Sequence, residues 1–397
     1  MNAKSPYPVI KLLPVLFSFF VMGFADVVGI SVSYVKQDFG LNDKTANLLP
    51  MLVFLWFAVC SLPAGIMIRN IGRKKTVLIS AVITAVGMMI PLLDYSFSVV
   101  LTAFAFLGIG NTILQVSLNP LVTNVSRADK LTSMLTLGQF IKAISSALGP
   151  VIVGFAAYAT GKWQYIFPLY ALLTVISFIW LVLTPIREEK STATARKSSI
   201  PALFKDAYLR TLFIAILLIV GFEVGLMTAV PKYFRESFGL SLEMGGYACT
   251  LYFIARTIGT FGGSILLSRV NIKKFFIISL IVGILALWCF RMAGDTTAFY
   301  SRVFRMAGHV TVLYVTLFIT GLACANVFAI LFSNAMQYRK ERADDISAMM
   351  IMGVSGGALI PPLMGIIADM STQRMSLLVP FCALIYILYV AVYVIRK

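Results

Sequence analysis

Long apolar runs recur along the whole chain and are separated by short polar segments. Each run is close to the roughly 20 residues that an α-helix needs to cross the hydrocarbon core of a bilayer. We count twelve such runs, so the pattern predicts an all-α integral membrane protein with twelve transmembrane helices. In chain order, predicted spans 1 to 12 cover residues 12–35, 46–68, 76–93, 98–121, 132–157, 164–185, 209–231, 245–268, 275–290, 310–335, 346–368 and 376–395.

The longest polar segment lies near the middle of the chain and separates six predicted spans from six. We therefore expect an N-terminal six-helix bundle at 1–185, a cytoplasmic linker at 186–208 and a C-terminal six-helix bundle at 209–397. The two bundles also resemble each other, because SRADKLTSMLTLG (126–138) matches ERADDISAMMIMG (341–353) at a constant offset. Such a repeat predicts two pseudo-symmetric halves.

Composition and charge agree with a membrane protein and argue against nucleic-acid binding. The chain is 59% hydrophobic and 12% charged, whereas soluble domains are roughly 45–50% apolar. With the N-terminus inside, about two thirds of the 33 Lys and Arg residues fall in loops of one side, and the positive-inside rule then places both termini in the cytoplasm. Orientation thus explains the net charge of +17, and the Ser, Thr, Lys and Arg residues of the linker are not interleaved with aromatic residues on which bases could stack.

Four ionisable residues lie near the middle of apolar runs: Asp26, Lys142, Glu223 and Arg256. A charge at the centre of a membrane helix costs about 2.5–3.5 kcal/mol, so each is expected to have a partner or a task. Asp26 and Glu223 occupy near-equivalent places in the two halves, GFAD and GFE, and are our candidates for proton coupling. We expect Lys142 to pair with Asp26, and Glu223 with Arg256. Structural pairing alone is the alternative for all four.

Amide side chains form a stripe on span 4. Asn111, Gln115 and Asn119 are spaced four residues apart and share one helix face, and the repeat places Asn326 and Asn334 at the matching positions of span 10. An amide both donates and accepts hydrogen bonds, which suits sugar hydroxyls. We therefore predict that these residues bind substrate, with hydrogen bonds between helices as the alternative.

Span 5 also carries a polar face. Thr136, Gln139, Lys142 and Ser146 recur at three- and four-residue steps, and we add Gln139 and Lys142 to the predicted substrate-binding residues. Pro150 lies on the same span and is expected to allow bending.

Two further segments suggest structural or gating roles. Span 11 is rich in Gly and Pro, including Pro361, and we expect it to pack closely and flex. The segment GIMIRNIGRKK (65–75), together with the six-span repeat, resembles the major facilitator superfamily, whose loop between helices 2 and 3 has Gly and Arg where this chain has Gly72 and Arg73. Arg69 stands where that superfamily usually has an acid, so we do not expect its customary salt bridge.

Four shorter motifs narrow the resemblance: ILQVSLNPLVT (113–123), GFEVG (221–225), ARTIGT (255–260) and SAMMIMGVSGGALIPPLMGIIAD (347–369). They are similar to segments of the fucose–galactose–glucose:proton symporter family, most of all its glucose/galactose branch. The resemblance makes Arg256 part of the family pattern. Two positions depart from it: Gly29 replaces an acid of fucose permeases, with Asp26 about one turn earlier, and Lys142 replaces an Asn.

The resemblance implies a secondary active transporter that imports a monosaccharide, a hexose or deoxyhexose, with protons by alternating access. Proton-coupled transport of an anionic sugar or another small organic acid is the alternative, with Lys142 and Arg256 binding the anion. A receptor that binds sugar without transporting it would share these features. We expect a monomer in the bacterial inner membrane, with sugar, protons and lipid as partners and the proton gradient as energy source.

An enzyme is not expected. The single histidine, His309, falls in a predicted loop, and no His, Cys and carboxylate cluster has metal-ligand spacing, so we predict neither a metal nor a cofactor. The five cysteines all fall inside predicted spans, where the usual role of Cys is that of a small packing residue.

Overall fold

A computed structural model describes residues 9–41, 45, 48–126, 130–188, 200–240, 242–293 and 309–395, and every regular element in these ranges is helical. This confirms the predicted all-α class. The helices are α1 Val9–Met22, α2 Val28–Asp38, α3 Leu48–Ile71, α4 Arg73–Met89, α5 Phe97–Val125, α6 Leu131–Thr160, α7 Ile166–Leu183, α8 Ala207–Phe238, α9 Leu242–Leu266, α10 Ile272–Met292, α11 His309–Cys324, α12 Val327–Tyr338, α13 Ala343–Met352, α14 Gly356–Met370, α15 Gln373–Ser376 and α16 Leu378–Tyr389.

Ten helical stretches within the described ranges are long and apolar enough to cross a membrane, and they correspond to predicted spans 2–7 and 9–12. Span 1 is divided into α1 and α2 by a 3₁₀ turn at Gly23–Val27. Span 8 corresponds to α9, which carries Arg256 near its middle and is not among these ten stretches.

Two further predicted spans contain breaks that their apolar patterns do not reveal. Span 10 is α11 followed by α12, with a turn at residues 325–326 between them. Span 11 is α13 followed by α14, separated by a 3₁₀ turn at Gly353–Ser355. Span 7 shows the opposite error, since α8 continues through Pro231 to Phe238 although the prediction ended at 231. Proline inside a membrane helix is tolerated when its surroundings satisfy the freed carbonyl.

The contacts divide the chain into two compact units. The first comprises Met1–Lys205 and Ala335–Met352, and the second comprises Asp206–Asn334 and Gly353–Lys397. The division predicted from sequence, with a linker at 186–208, remains a prediction. Most of that linker, residues 189–199, lies outside the described ranges.

In the first unit, α5 packs most extensively against α3 and α4. In the second unit, α8 packs against α14, and a Cβ at Gly356 would overlap the backbone carbonyl of Leu217. Small residues let helix backbones approach in membranes, where close packing replaces the hydrophobic effect between helices. The close packing expected for span 11 is therefore observed, on its α14 part.

Candidate functional site

In the first unit, the 3₁₀ turn at Gly23–Val27 lies directly against α6. A Cβ at Gly23 would come 2.6 Å from the Lys142 carbonyl oxygen, so only glycine allows this approach. Asp26 follows three residues later and is exposed, although the neighbouring residues of the turn are buried. Its Oδ2 accepts a hydrogen bond of 2.5 Å from the Ser146 hydroxyl of α6. The break in span 1 therefore presents the acid to α6.

The predicted ion pair between Lys142 and Asp26 is not formed. Among the residues that the structure describes, the ammonium of Lys142 makes neither an ion pair nor a hydrogen bond, and the side chain is half-buried. Asp26 is bonded to Ser146 instead. Ser146 lies one helical turn after Lys142 on α6, and the Asp26 carboxylate contacts this later position.

The polar face of α6 contains other groups that have no partner in the part of the chain that the structure describes. The Thr136 hydroxyl is fully buried and makes no hydrogen bond with a described residue. The Gln139 amide, 9% exposed, likewise makes none within the described ranges. Burying an unpaired polar group costs free energy, so such groups indicate strain or a ligand-binding surface. Thr136, Gln139 and Lys142 together form what we call the α6 polar face.

The predicted amide stripe on α5 is arranged differently. Asn111, Gln115 and Asn119 are all less than 5% exposed. The Asn111 amide donates to the Met22 carbonyl of α1, the Gln115 amide donates to Asn111 Oδ1 at 3.4 Å, and the Asn119 amide donates to the Gln115 carbonyl at 2.9 Å. The stripe is thus a hydrogen-bonded ladder that ties α5 to α1. Among the amide atoms of these three residues, Asn119 Oδ1 is the one that is fully buried without a partner in the described ranges. Substrate binding by these amides stays a prediction.

The matching residues of the second half have different partners. Asn326, in the turn between α11 and α12, donates to the Gly259 carbonyl of α9 at 3.0 Å and fills the space beside Gly263. Asn334 is half-buried and donates to the Ile330 carbonyl of its own helix at 2.8 Å. The sequence repeat therefore preserves the amides but not their contacts.

Glu223 and Arg256 form the predicted pair in the second unit. Arg256 Nε lies 2.7 Å from Glu223 Oε1, and the two side chains are 18% and 17% exposed. Tyr252, one turn before Arg256 on α9 and fully buried, donates to the same carboxylate oxygen at 3.4 Å. The pair joins α8 to α9.

The C-terminal end of α2 is held by a second acid. Asp38 Oδ2 accepts hydrogen bonds from the Tyr95 hydroxyl at 2.5 Å and from Trp163 Nε1 at 2.7 Å. Burial first, and then the hydrogen bond to Asp38, raise the pKa of Tyr95 well above its ordinary value. Tyr95 therefore remains a donor over the whole physiological pH range. Both ends of α2 are attached to the rest of the first unit.

Gly72 and Arg73 form the corner between α3 and α4. Gly72 has a φ of 92°, which favours glycine. The Glu188 carboxylate accepts from the backbone N–H groups of Arg73 and Lys74 at 2.6 and 2.8 Å and so caps α4. The Arg73 guanidinium makes an ion pair of 2.6 Å with Asp344. Arg73 thereby attaches the 335–352 segment of the first unit to α4.

Arg69, which stands where the superfamily's customary salt bridge has its acid, is paired as a cation instead. Its Nε lies 3.4 Å from Asp345 Oδ1, and Asp345 Oδ2 is 3.2 Å from Arg342 Nη2. The Asp345 side chain is only 2% exposed. A salt bridge of inverted polarity therefore exists here, with the cation on α3 and the acid on α13.

The other predicted structural residues are placed as follows. Pro361 lies inside α14, one position after Ile360, which packs on Gly221 of α8. Pro150 belongs to α6 by its backbone, and its side chain lies outside the described part of the chain. Whether these positions act in gating stays a prediction.

Sequence reasoning missed three partners. Tyr252 has a recognisable signal, because it stands one turn from Arg256 on the same helix face. Asp345 lies in the repeated segment ERADD, but nothing in the sequence assigns it to Arg69. Glu188 caps a helix more than 100 residues away and has no local signal.

Comparisons with known proteins agree with the resemblance drawn from the motifs. The Major Facilitator Superfamily profile matches residues 15–301 and 212–397. The chain is 25% identical over 390 residues to a glucose/galactose transporter of Brucella abortus, covering 94% of this chain and 90% of the relative. It is 25% identical over 401 residues to a putative glucose/galactose transporter of Helicobacter pylori, covering 94% of each.

The fold is also similar to that of a solved transporter. A crystal structure of the E. coli fucose:proton symporter FucP superimposes with a TM-score of 0.81 at 16% identity, covering 99% of this chain and 100% of that one. At this identity the likeness concerns the fold alone.

Proposed function

The chain belongs to the Major Facilitator Superfamily, and we propose that it is a secondary active transporter that imports a neutral monosaccharide with protons by alternating access. A hexose or deoxyhexose is the proposed substrate. The proposal includes a bacterial inner membrane location, both termini in the cytoplasm and a monomeric state. The near full-length similarity to glucose/galactose transporters supports the sugar, and the positive-inside pattern supports the orientation.

The surroundings of Asp26 are the observation that supports proton coupling. Asp26 is an acid within a membrane span, exposed, with a hydroxyl rather than a cation as its partner. It therefore takes up a proton from water without breaking an ion pair. In the proposed cycle, a proton from the outer water forms an O–H bond with the Asp26 carboxylate and later leaves to the inner water, which neutralises and restores the charge in turn.

The α6 polar face is the proposed substrate surface. Its hydroxyl, amide and ammonium have no partners among the described residues, and they are donors and acceptors that sugar hydroxyls can satisfy. The α5 amides support a neutral substrate less directly, because their side chains already form a ladder. In the proposed site they hold α5 against α1 and position the surface.

An anionic sugar is the second candidate substrate, and one observation favours it. Lys142 is a half-buried cation whose ammonium has no partner among the described residues, so a substrate carboxylate would neutralise it. Arg256, which the same hypothesis invoked, is engaged by Glu223 at 2.7 Å. The anion hypothesis thus depends on Lys142 alone, and we rank it below the neutral sugar.

Uptake into proteoliposomes tests both candidates. The purified protein is supplied with radiolabelled hexoses, deoxyhexoses and sugar acids, with and without an inward proton gradient. We expect saturable uptake of a neutral sugar that the gradient increases, and none of it in protein-free liposomes. Gradient-driven uptake confined to a sugar acid would favour the second candidate. No saturable uptake of any sugar would overturn both.

A further inference from the structure

The Ser146 hydroxyl lies between two acceptors. Its Oγ is 2.5 Å from Asp26 Oδ2 and 3.0 Å from the carbonyl oxygen of Lys142, one turn earlier on α6. A serine hydroxyl has one hydrogen and two lone pairs, so it donates to one of these groups at a time. The short distance to Asp26 is typical of a hydroxyl donating to an ionised carboxylate.

We propose that Ser146 is a positioning residue for Asp26, which exchanges its hydrogen-bond direction when Asp26 takes up a proton. While Asp26 is ionised, Ser146 donates to the carboxylate. When Asp26 is protonated, its new O–H donates to Ser146 Oγ, and the serine hydrogen turns to the Lys142 carbonyl. Both groups thus keep a hydrogen bond in both states. The turn at 23–27 therefore stays attached to α6 through the proton cycle.

The surroundings of Asp26 contain few other groups that respond to pH. Lys142 is the charged side chain that α6 places near it, and Tyr170 of α7 stacks on Phe24 with ring centroids 3.9 Å apart. Helix α5 contains no ionisable residue, and Lys11 of α1 lies four turns from Asp26 in sequence. On α2, the charged residues are Lys36 and Asp38 at the far end. Ser146 is thus the group that touches Asp26 directly.

This inference rests on the proposed proton-coupled transport, so its test has a readout that does not need transport. Infrared difference spectroscopy on the purified full chain follows the carbonyl band of protonated Asp26 as a function of pH, with Asp26→Asn to identify the band. The same preparations, reconstituted, report sugar uptake against external pH.

Ser146→Ala removes the donor to the ionised carboxylate, so protonation becomes easier. We expect the Asp26 band to appear at a pH higher by about 0.5–1 unit, and half-maximal uptake to move in the same direction. Ser146→Thr keeps a hydroxyl and is expected to restore the wild-type midpoint. Ser145→Ala is the matched control, because the Ser145 hydroxyl is buried beside Ser146 and has no hydrogen-bond partner in the described ranges.

The outcomes separate the two proposals. An unchanged Asp26 band and pH profile in Ser146→Ala would overturn the inference, as would an equal shift in Ser145→Ala. Wild-type protein that shows the Asp26 band but no proton-driven uptake would overturn the proposed function and leave the role of Ser146 standing. A fall in thermal stability alone, with no shift of midpoint, would assign Ser146 a purely structural role.

Discussion

Asp26 and Glu223 occupy near-equivalent places in the two halves of the sequence, yet their surroundings differ. Asp26 lies in a 3₁₀ turn, is exposed and accepts a hydrogen bond from a serine. Glu223 lies in the uninterrupted helix α8, is 17% exposed and is paired with Arg256 at 2.7 Å. The partner of Asp26 is a neutral hydroxyl, which can donate or accept a hydrogen bond. The partner of Glu223 is a cation, which favours the ionised carboxylate and so disfavours its protonation.

The two partners differ in how much free energy protonation of the acid would cost. Protonation of Glu223 would leave the Arg256 guanidinium without its counter-ion in a mostly buried place, at a cost in free energy. Protonation of Asp26 only reverses one hydrogen bond. We therefore propose that Asp26 carries the proton and that Glu223 stabilises the second unit, while proton coupling by Glu223 stays a prediction.

Replacing the proton carrier is expected to have the largest effect. Asp26→Asn cannot exchange a proton, so uptake driven by a pH gradient should fall at least about tenfold, while exchange of sugar across the membrane without a gradient continues. Counterflow and gradient-driven uptake in the same proteoliposomes measure the two. Gradient-driven accumulation that survives Asp26→Asn would contradict the comparison.

Breaking the ion pair between Glu223 and Arg256 should lower the free energy of unfolding. Glu223→Gln leaves Arg256 without its carboxylate and is expected to cost about 2 kcal/mol, less than a fully buried pair because both side chains are partly exposed. Adding Arg256→Gln should recover much of that loss. Thermal unfolding in detergent compares the single and double variants. If Glu223→Gln abolished proton-driven uptake with stability intact, Glu223 would be a proton carrier after all.

The hydrogen bond from Tyr252 to Glu223 is weaker than the ion pair with Arg256. Tyr252→Phe removes a 3.4 Å hydrogen bond to the carboxylate and should lower stability by about 0.5–1 kcal/mol. The pH dependence of uptake should stay unchanged. A shift of the uptake profile in this variant, relative to wild-type protein in the same lipids, would connect Glu223 to proton coupling.

The smallest effect on neutral sugar is expected at Lys142. Lys142→Asn replaces the ammonium of the α6 polar face by the amide of the related family, which still donates to a sugar hydroxyl, and it breaks no ion pair or hydrogen bond with a described residue. Neutral sugar uptake should therefore change by less than about twofold. Competition by sugar acids measures the alternative. Loss of sugar-acid uptake with hexose uptake retained would show that the anion hypothesis was ranked too low.

Much of the fold followed from local pattern, and much of the site did not. The amide stripe on α5 was predicted correctly as one helix face, because helical periodicity is a property of the sequence. Its buried ladder to the Met22 carbonyl depends on where α1 packs. The 3₁₀ turn at 353–355 falls within a continuous apolar run, so the hydrophobic pattern does not show it. Gly356, the residue after the turn, packs against the backbone of α8.

The sequence by itself determined the helical class, the repeat, the superfamily and the positions of the four membrane charges, because run length, spacing and residue type are local quantities. Tertiary structure decided the partners: Ser146 rather than Lys142 for Asp26, and Asp345 for Arg69. Partner choice depends on how far each helix rises and turns before it meets its neighbour. A shift of one turn, about 5.4 Å, exchanges one partner for another without changing the hydrophobic pattern.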